Sequence, residues 1–163
     1  MRAVVQRVSS ATVRVGDQTV GAIEQGLLVL VGVEQNDGPS DVQYITSKVR
    51  DMRVFDDATP ARHLDRSVQD VNGAVLVVSQ FTLYGDTRRG RRPGFSAAAA
   101  PEEANRLYRL LRGPRGRGRS RGPRGRLPRH DGREPGEPRA GDAAAGQREA
   151  GVSFACYVGR GRP

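Results

Sequence analysis

Apolar and polar positions alternate with a period of two over residues 3–8 and again over 11–15, where valines interleave with polar side chains. Such alternation predicts half-buried strands. Gly16 and Asp17 supply a turn and residues 18–23 continue the pattern, so the chain opens as an antiparallel meander. Residues 26–33 (GLLVLVGV) form an apolar run too short for a helix and rich in β-branched side chains. That is the composition of a central strand covered on both faces. The period then lengthens. Between Asp41 and Met52, the side chains of Val42, Ile45, Val49 and Met52 fall on one face at helical spacing, with Ser40 as N-cap and Asp41 at the positive end of the dipole. Asp56, Asp57 and Pro60 mark a loop, and residues 74–81 (AVLVVSQF) read as another buried strand. Pro101-Glu102-Glu103 opens a second helix carrying Ala104, Leu107 and Tyr108. Local signals agree on an α+β domain over residues 1–108, an antiparallel sheet with two covering helices.

Agreement ends at residue 109. The last 55 residues hold 12 glycines, 6 prolines and only 5 Val, Leu or Ile, including the run GPRGRGRSRGPRGRLPR. This composition cannot bury enough apolar surface to offset about 1–2 kcal/mol of backbone entropy per ordered residue, which predicts a disordered Arg/Gly-rich tail. Residues 152–158 (VSFACYV) are a strand-like exception without a turn-linked partner nearby.

Charge sharpens the division. The chain carries a net charge of +9, yet residues 1–108 hold 13 Lys+Arg against 13 Asp+Glu, whereas residues 109–163 hold 14 against 5. The front is neutral and the back supplies the whole excess, as if two different sequences were joined. There is no apolar run of signal-peptide or membrane-spanning length, so a soluble, cytoplasmic protein is expected. Cys156 is the single cysteine, and with only His63 and His130 beside it no zinc set or internal disulfide is expected, and no cofactor.

Candidate chemistry gathers after the strand at residues 74–81. Ser79-Gln80-Phe81-Thr82-Leu83 ends a buried strand and meets a glycine-containing turn, where backbone groups become accessible. A nucleophilic Ser or Thr would need a positioned base, and His63 lies in a loop with no visible carboxylate pattern, which argues against a Ser/His/Asp triad. On residue types alone, Ser79 and Thr82 can equally be hydrogen-bonding groups at a strand end.

The longer pattern is specific. Ser79 to Leu83, then Tyr84-Gly85-Asp86-Thr87 and Arg88-Arg89-Gly90-Arg91-Arg92-Pro93-Gly94-Phe95-Ser96, closely resembles the signature of the D-aminoacyl-tRNA deacylases. The opening MRAVVQRV and the run GLLVLVGV resemble the first hairpin and central strand of the same family, so the likeness covers residues 1 to about 108. It implies a barrel-like antiparallel sheet with two covering helices, a homodimer, and hydrolysis of the ester between a D-amino acid and tRNA, with mischarged glycyl-tRNA as a further substrate. It also implies that Ser79, Gln80 and Thr82 form the catalytic set, partly through backbone N–H donors aimed at a developing oxyanion. Phe81, Leu83, Met1 and Arg7 would contact the substrate, and Arg88, Arg89, Arg91 and Arg92 would hold tRNA phosphates through guanidinium forks on a Gly-rich loop. Chirality in the family is enforced by a Gly-Pro element that one subunit inserts into the other's pocket, which excludes L side chains without recognising any D side chain.

The expected Asn-x-Gly-Pro-Val-Thr run is absent from residues 109–163, and the candidates Arg112-Gly113-Pro114 and Arg121-Gly122-Pro123 lack a following strand. Codons permitted for Arg133 to Gln147, read one nucleotide later, can nevertheless encode Val-Ser-Leu-Val-Asn-Pro-Gly-Pro-Val-Thr-Leu-Leu-Leu-Asp. Each shifted codon keeps two letters fixed by the protein, so a match of this length is improbable by accident. The sequence therefore points to a reading-frame slip near residues 108–111, with the tail as out-of-frame translation, consistent with the absence of lysine after Lys48. Loss of the family's last strands would leave the written chain inactive or unselective. The competing readings are an RNA-binding protein with a flexible basic arm and a non-functional pseudoenzyme.

Overall fold

The computed structural model describes residues 1–57, 63–88, 90–113 and 152–159. Strands β1 (Arg2–Val8), β2 (Ala11–Val15), β3 (Gln18–Ile23) and β4 (Gly26–Gly32) follow one another, then helix α1 (Pro39–Asp51), strand β5 (Ala74–Ser79), a 3-10 turn (Phe81–Tyr84), helix α2 (Pro101–Arg112) and strand β6 (Val152–Gly159). A four-stranded sheet runs in the order β5-β4-β1-β6, and β2 and β3 form a separate two-stranded sheet.

β4 is buried along its whole length because it divides two apolar layers. Its odd positions, Leu27, Val29 and Val31, face a core built with Val42, Ile45 and Val49 of α1 and Leu107 of α2. Its even positions, Leu28 and Leu30, face the β2–β3 side with Val8, Ala11 and Ile23. The molecule is thus helices, sheet and hairpin in three layers, and a strand between two apolar layers must be apolar on both sides.

Several expectations are refined. The meander pairs β2 with β3 around Gly16 (φ +55°), but β1 pairs with β4 rather than β2, from Arg2 opposite Gly32 to Val8 opposite Gly26. β5 runs parallel to β4, so the larger sheet is mixed, and β5 lies at its edge only partly buried instead of covered on both faces. Helix α1 begins one residue before Ser40. Gly38 is its N-cap, Pro39 takes the first helical position, and the Gly38 N–H donates to the Asp41 carboxylate at 3.0 Å. Ser40 is therefore within the first turn and caps nothing.

The break at residue 108 also shifts. α2 runs on to Arg112, and its Tyr108 hydroxyl donates to the Val77 carbonyl at 2.9 Å, tying the helix to β5. Residues 152–158, strand-like but without a turn-linked partner nearby, belong to β6, which pairs antiparallel along the outer edge of β1, with Val158 buried in the helix-side core. A segment rich in β-branched and aromatic residues can complete a sheet edge through its backbone without a turn that links it to its neighbour. Disorder was expected over residues 109–163: of these, 109–112 are helical and 152–159 form β6, and residues 114–151 and 160–163 lie outside the described residues.

At the other end of the same core, Met1 is 4% exposed. Its α-ammonium pairs with the Asp37 carboxylate, both groups fully buried, and the second Asp37 oxygen accepts the Glu34 N–H at 2.6 Å. Among the described residues no helix is long and apolar enough to cross a membrane.

Candidate active site

β5 ends at Ser79, and the chain turns at Gln80, whose N–H donates to the Val31 carbonyl of β4 at 2.7 Å. The 3-10 turn that follows is bounded by Leu83 N–H to Gln80 O at 3.3 Å and Gly85 N–H to Thr82 O at 3.0 Å. The N–H groups of Phe81 and Thr82 precede the first of these, where a helix start leaves donors free of internal partners. Phe81 and Thr82 are exposed, and the Gln80 side-chain amide donates to Thr82 Oγ1. Thr82 thereby keeps its own hydroxyl proton available for donation.

Phe95 closes one side. Its ring meets that of Phe81 edge-on, with centroids 5.1 Å apart and planes at 69°, an arrangement favoured by ring quadrupoles. Phe95 reaches this place because the following residues add to the sheet beyond β4: Ala99 N–H donates to Val33 O at 2.9 Å and the Gln35 side chain donates to Ser96 O at 2.6 Å. Tyr84 closes the floor. It is 3% exposed and lies against Gly32, where a Cβ would sit 3.0 Å from the ring and 3.1 Å from the Gln80 carbonyl. Burial, with Asp37 and Glu34 nearby, pushes the Tyr84 phenol well above its ordinary range, so it stays neutral.

The arginine loop hangs from a small ladder, Asp86 and Gly94 exchanging backbone hydrogen bonds at 2.8 and 2.9 Å, with Gly90 at φ +81°. Arg88 folds back as a fork onto the Asp86 carboxylate, with contacts of 2.7 to 3.1 Å. That guanidinium, followed by the Arg88 N–H, holds the Asp86 carboxyl down at about 2. Arg91 and Arg92 are exposed, and Arg89 lies outside the described residues.

Ser79, Gln80, Phe81 and Thr82 come together at one end of β5, with the Gln80 and Thr82 side chains in contact. Leu83 turns instead into the hairpin-side core, and Met1 into the helix-side core. Arg7 is placed elsewhere: it donates to the Val54 carbonyl at 2.8 Å and to Asp56 at 3.1 Å. It sits five positions along β1 from Arg2, about 17 Å at strand rise, whereas Arg2 lies at the end beside the turn. Asp56 also faces His63 at 3.6 Å, and the Leu64 N–H and then Arg7 hold its carboxyl below its ordinary range. His63 is thus occupied at a different loop from Thr82. Phe95 and Tyr84 lie within the motif, but their residue types alone do not show a role. Arg2 was missed, because a charged residue opening a strand carries no signal of what it will reach. Among the described residues no three metal-ligating side chains gather.

The family model for D-Tyr-tRNA(Tyr) deacylase matches residues 4–113. The chain belongs to that deacylase family. It is 57% identical over 108 residues to a D-aminoacyl-tRNA deacylase of Clostridioides difficile (strain 630), covering 66% of this chain and 71% of the relative. A D-aminoacyl-tRNA deacylase of Anaeromyxobacter dehalogenans (strain 2CP-C) is 55% identical over 113 residues, covering 69% of this chain and 74% of the relative. Among solved structures, the c-Myc DNA Unwinding Element Binding Protein superposes with a TM-score of 0.64 at 37% identity, covering 68% of this chain and 73% of that one. The deacylase match stops where α2 ends, so the α+β front of the chain is the part shared with the family.

Proposed function

We propose that the turn Phe81–Tyr84 receives the acylated 3′ end of tRNA and that the ester of a D-amino acid is hydrolysed there. Water attacks the ester carbonyl, the bond to the ribose oxygen breaks, and the proton returns to that oxygen, giving free D-amino acid and tRNA. The observation that carries this reading is the set of donors on one exposed turn: the leading N–H groups of Phe81 and Thr82 beside a Thr82 hydroxyl oriented by Gln80. Preorganised donors of this kind stabilise the developing oxyanion, and an aminoacyl ester is already activated, so no protein nucleophile is needed. Phe81 and Phe95 give the apolar wall against which the terminal base or the acyl side chain packs. Arg91 and Arg92 follow the phosphates, and Arg89 is assigned with them from the motif. Arg88 contributes less because its fork is engaged by Asp86. Met1, Leu83 and Arg7 support the framework rather than touch substrate. Such chemistry belongs in the cytoplasm, where charged tRNA is used.

The active form in this reading is a homodimer. Its support is exposed apolar side chains on two strands of different sheets, Val20 of β3 at 60% and Val75 of β5 at 40% exposure. The residues after α2 are, in this proposal, the product of a slipped reading frame that replaces the family's chirality filter. The written chain then hydrolyses D-aminoacyl-tRNA slowly or without sparing the L form, and a chain corrected by one nucleotide near the Tyr108 codon does so rapidly and selectively. The test is release of tyrosine from D- and L-tyrosyl-tRNA by both chains, alongside the gene sequence at that codon. No hydrolysis by either chain would overturn the function. Selective hydrolysis by the written chain, from a gene with no single-base correction that restores the strand, would overturn the slip.

A further inference from the structure

A single four-residue 3-10 turn does not hold its own shape, because so short a helix has few internal hydrogen bonds and those are of poor geometry. Its entry is fixed from β4 by the Gln80 N–H to Val31 O bond, and its exit residue Tyr84 rests against Gly32. No hydrogen bond fixes the far end of that ring: the Tyr84 hydroxyl is buried and has no hydrogen-bond partner among the described residues. One further contact reaches the exit. Arg2 Nη1 donates to the Leu83 carbonyl at 3.2 Å, and the same guanidinium lies 4.4 Å from the centre of the Tyr84 ring. The Leu83 carbonyl is one of the last acceptors of the turn, which the turn itself leaves unpaired. A cation over a largely buried ring and a charge-assisted hydrogen bond from one planar group act together on two consecutive residues.

The geometry points to Arg2 as a positioning residue that locks the turn carrying Phe81 and Thr82 to the first strand. Arg2 is itself exposed, so its side chain adds nothing to the core, and its position at the start of β1, opposite Gly32, is set by the sheet. The lock links the strand that opens the chain to the donors that meet the substrate, one residue before the Thr82–Gly85 bond closes. Its catalytic consequence rests on the proposed deacylase reading; the lock itself does not.

The test compares the full chain with Arg2→Met, which keeps the aliphatic stem, and Arg2→Lys, which keeps a donor and a cation. In Arg2→Met the Leu83 and Gly85 amides should exchange about tenfold faster with solvent, while β4 amides keep their protection, as loss of one charged hydrogen bond at a local element predicts. Arg2→Lys should recover much of that protection. In deacylation of D-tyrosyl-tRNA, Arg2→Met should lower kcat about tenfold with KM nearly unchanged, the signature of a displaced turn rather than a lost substrate contact. Unchanged protection at Leu83 and Gly85 in Arg2→Met would overturn the lock. A raised KM at constant kcat would overturn positioning in favour of direct tRNA contact. Hydrolysis absent both from the parent chain and from the chain corrected near the Tyr108 codon would count against the deacylase reading alone, since amide exchange decides the lock without it.

Discussion

Replacing Asp37 by alanine removes both acceptors at the buried end of the core. One carboxylate oxygen holds the Met1 ammonium and the other holds the Glu34 N–H at 2.6 Å, and both charged groups are fully removed from water. Deleting one partner of a buried pair strands the other charge, which costs about 3–5 kcal/mol. The orphaned Glu34 N–H belongs to the same unit, so its cost overlaps with that figure instead of adding to it. Against a domain stability of about 5–15 kcal/mol this is a large fraction. At roughly 2–4 °C per kcal/mol for a chain of this size, the midpoint of thermal unfolding should fall by about 10 °C. Asp37→Asn keeps the shape and one acceptor but loses the charge, and should fall between alanine and the parent. Asp51→Ala is the control, because the Asp51 pair with Arg50 is more than half exposed on both sides and should leave the midpoint unchanged. Circular dichroism melts and urea titrations of the four chains measure all of this. A midpoint for Asp37→Ala within about 2 °C of the parent would show that the pair is solvated or unimportant, and the reasoning would be refuted.

Leu107→Ala opens a cavity where α2 meets the sheet, since Leu107 is fully buried, and should cost about 2–5 kcal/mol in urea unfolding. Gly32→Ala sets a Cβ 3.0 Å from the Tyr84 ring and 3.1 Å from a backbone carbonyl, so neither neighbour yields cheaply. It should cost about 1–3 kcal/mol and displace the turn, read as chemical-shift changes at Phe81 and Thr82 that spare α1. Asp86 has a folded value of about 2 against an ordinary 3.8, so its contact with Arg88 is fully present above the ordinary value and is lost as pH falls through about 2. Carbon NMR titration should place the Asp86 midpoint near that value, with Arg88→Gln returning it toward 3.8; a parent midpoint already at 3.8 would contradict the fork.

Much of the architecture was legible because periodicity reports which faces a segment buries. The unbroken apolar run of β4 gave a strand between two layers, the 42-45-49 spacing gave α1, and Pro101 with two glutamates gave the start of α2. The motif from Ser79 to Ser96 located the candidate site, since its residues are contiguous and the turn that displays them is local. The fall in apolar content after residue 108 marked the end of the shared domain to within a few residues, the family match running on to residue 113.

Partners across space were decided only by the fold. A period of two says which side of a strand faces the core but not which strand lies beside it, so β1 beside β4, β5 parallel to β4 and β6 on the free edge of β1 were not written in any one segment. The same holds for side chains. Arg7 and Arg2 read alike as basic residues of one strand, yet the first is taken by Val54 and Asp56 and the second by Leu83 and Tyr84. Met1 and Leu83 go to the core, and Arg88 to Asp86, for one reason: packing satisfies apolar surface and charge with whatever the sheet brings near, and sequence distance does not enter that choice.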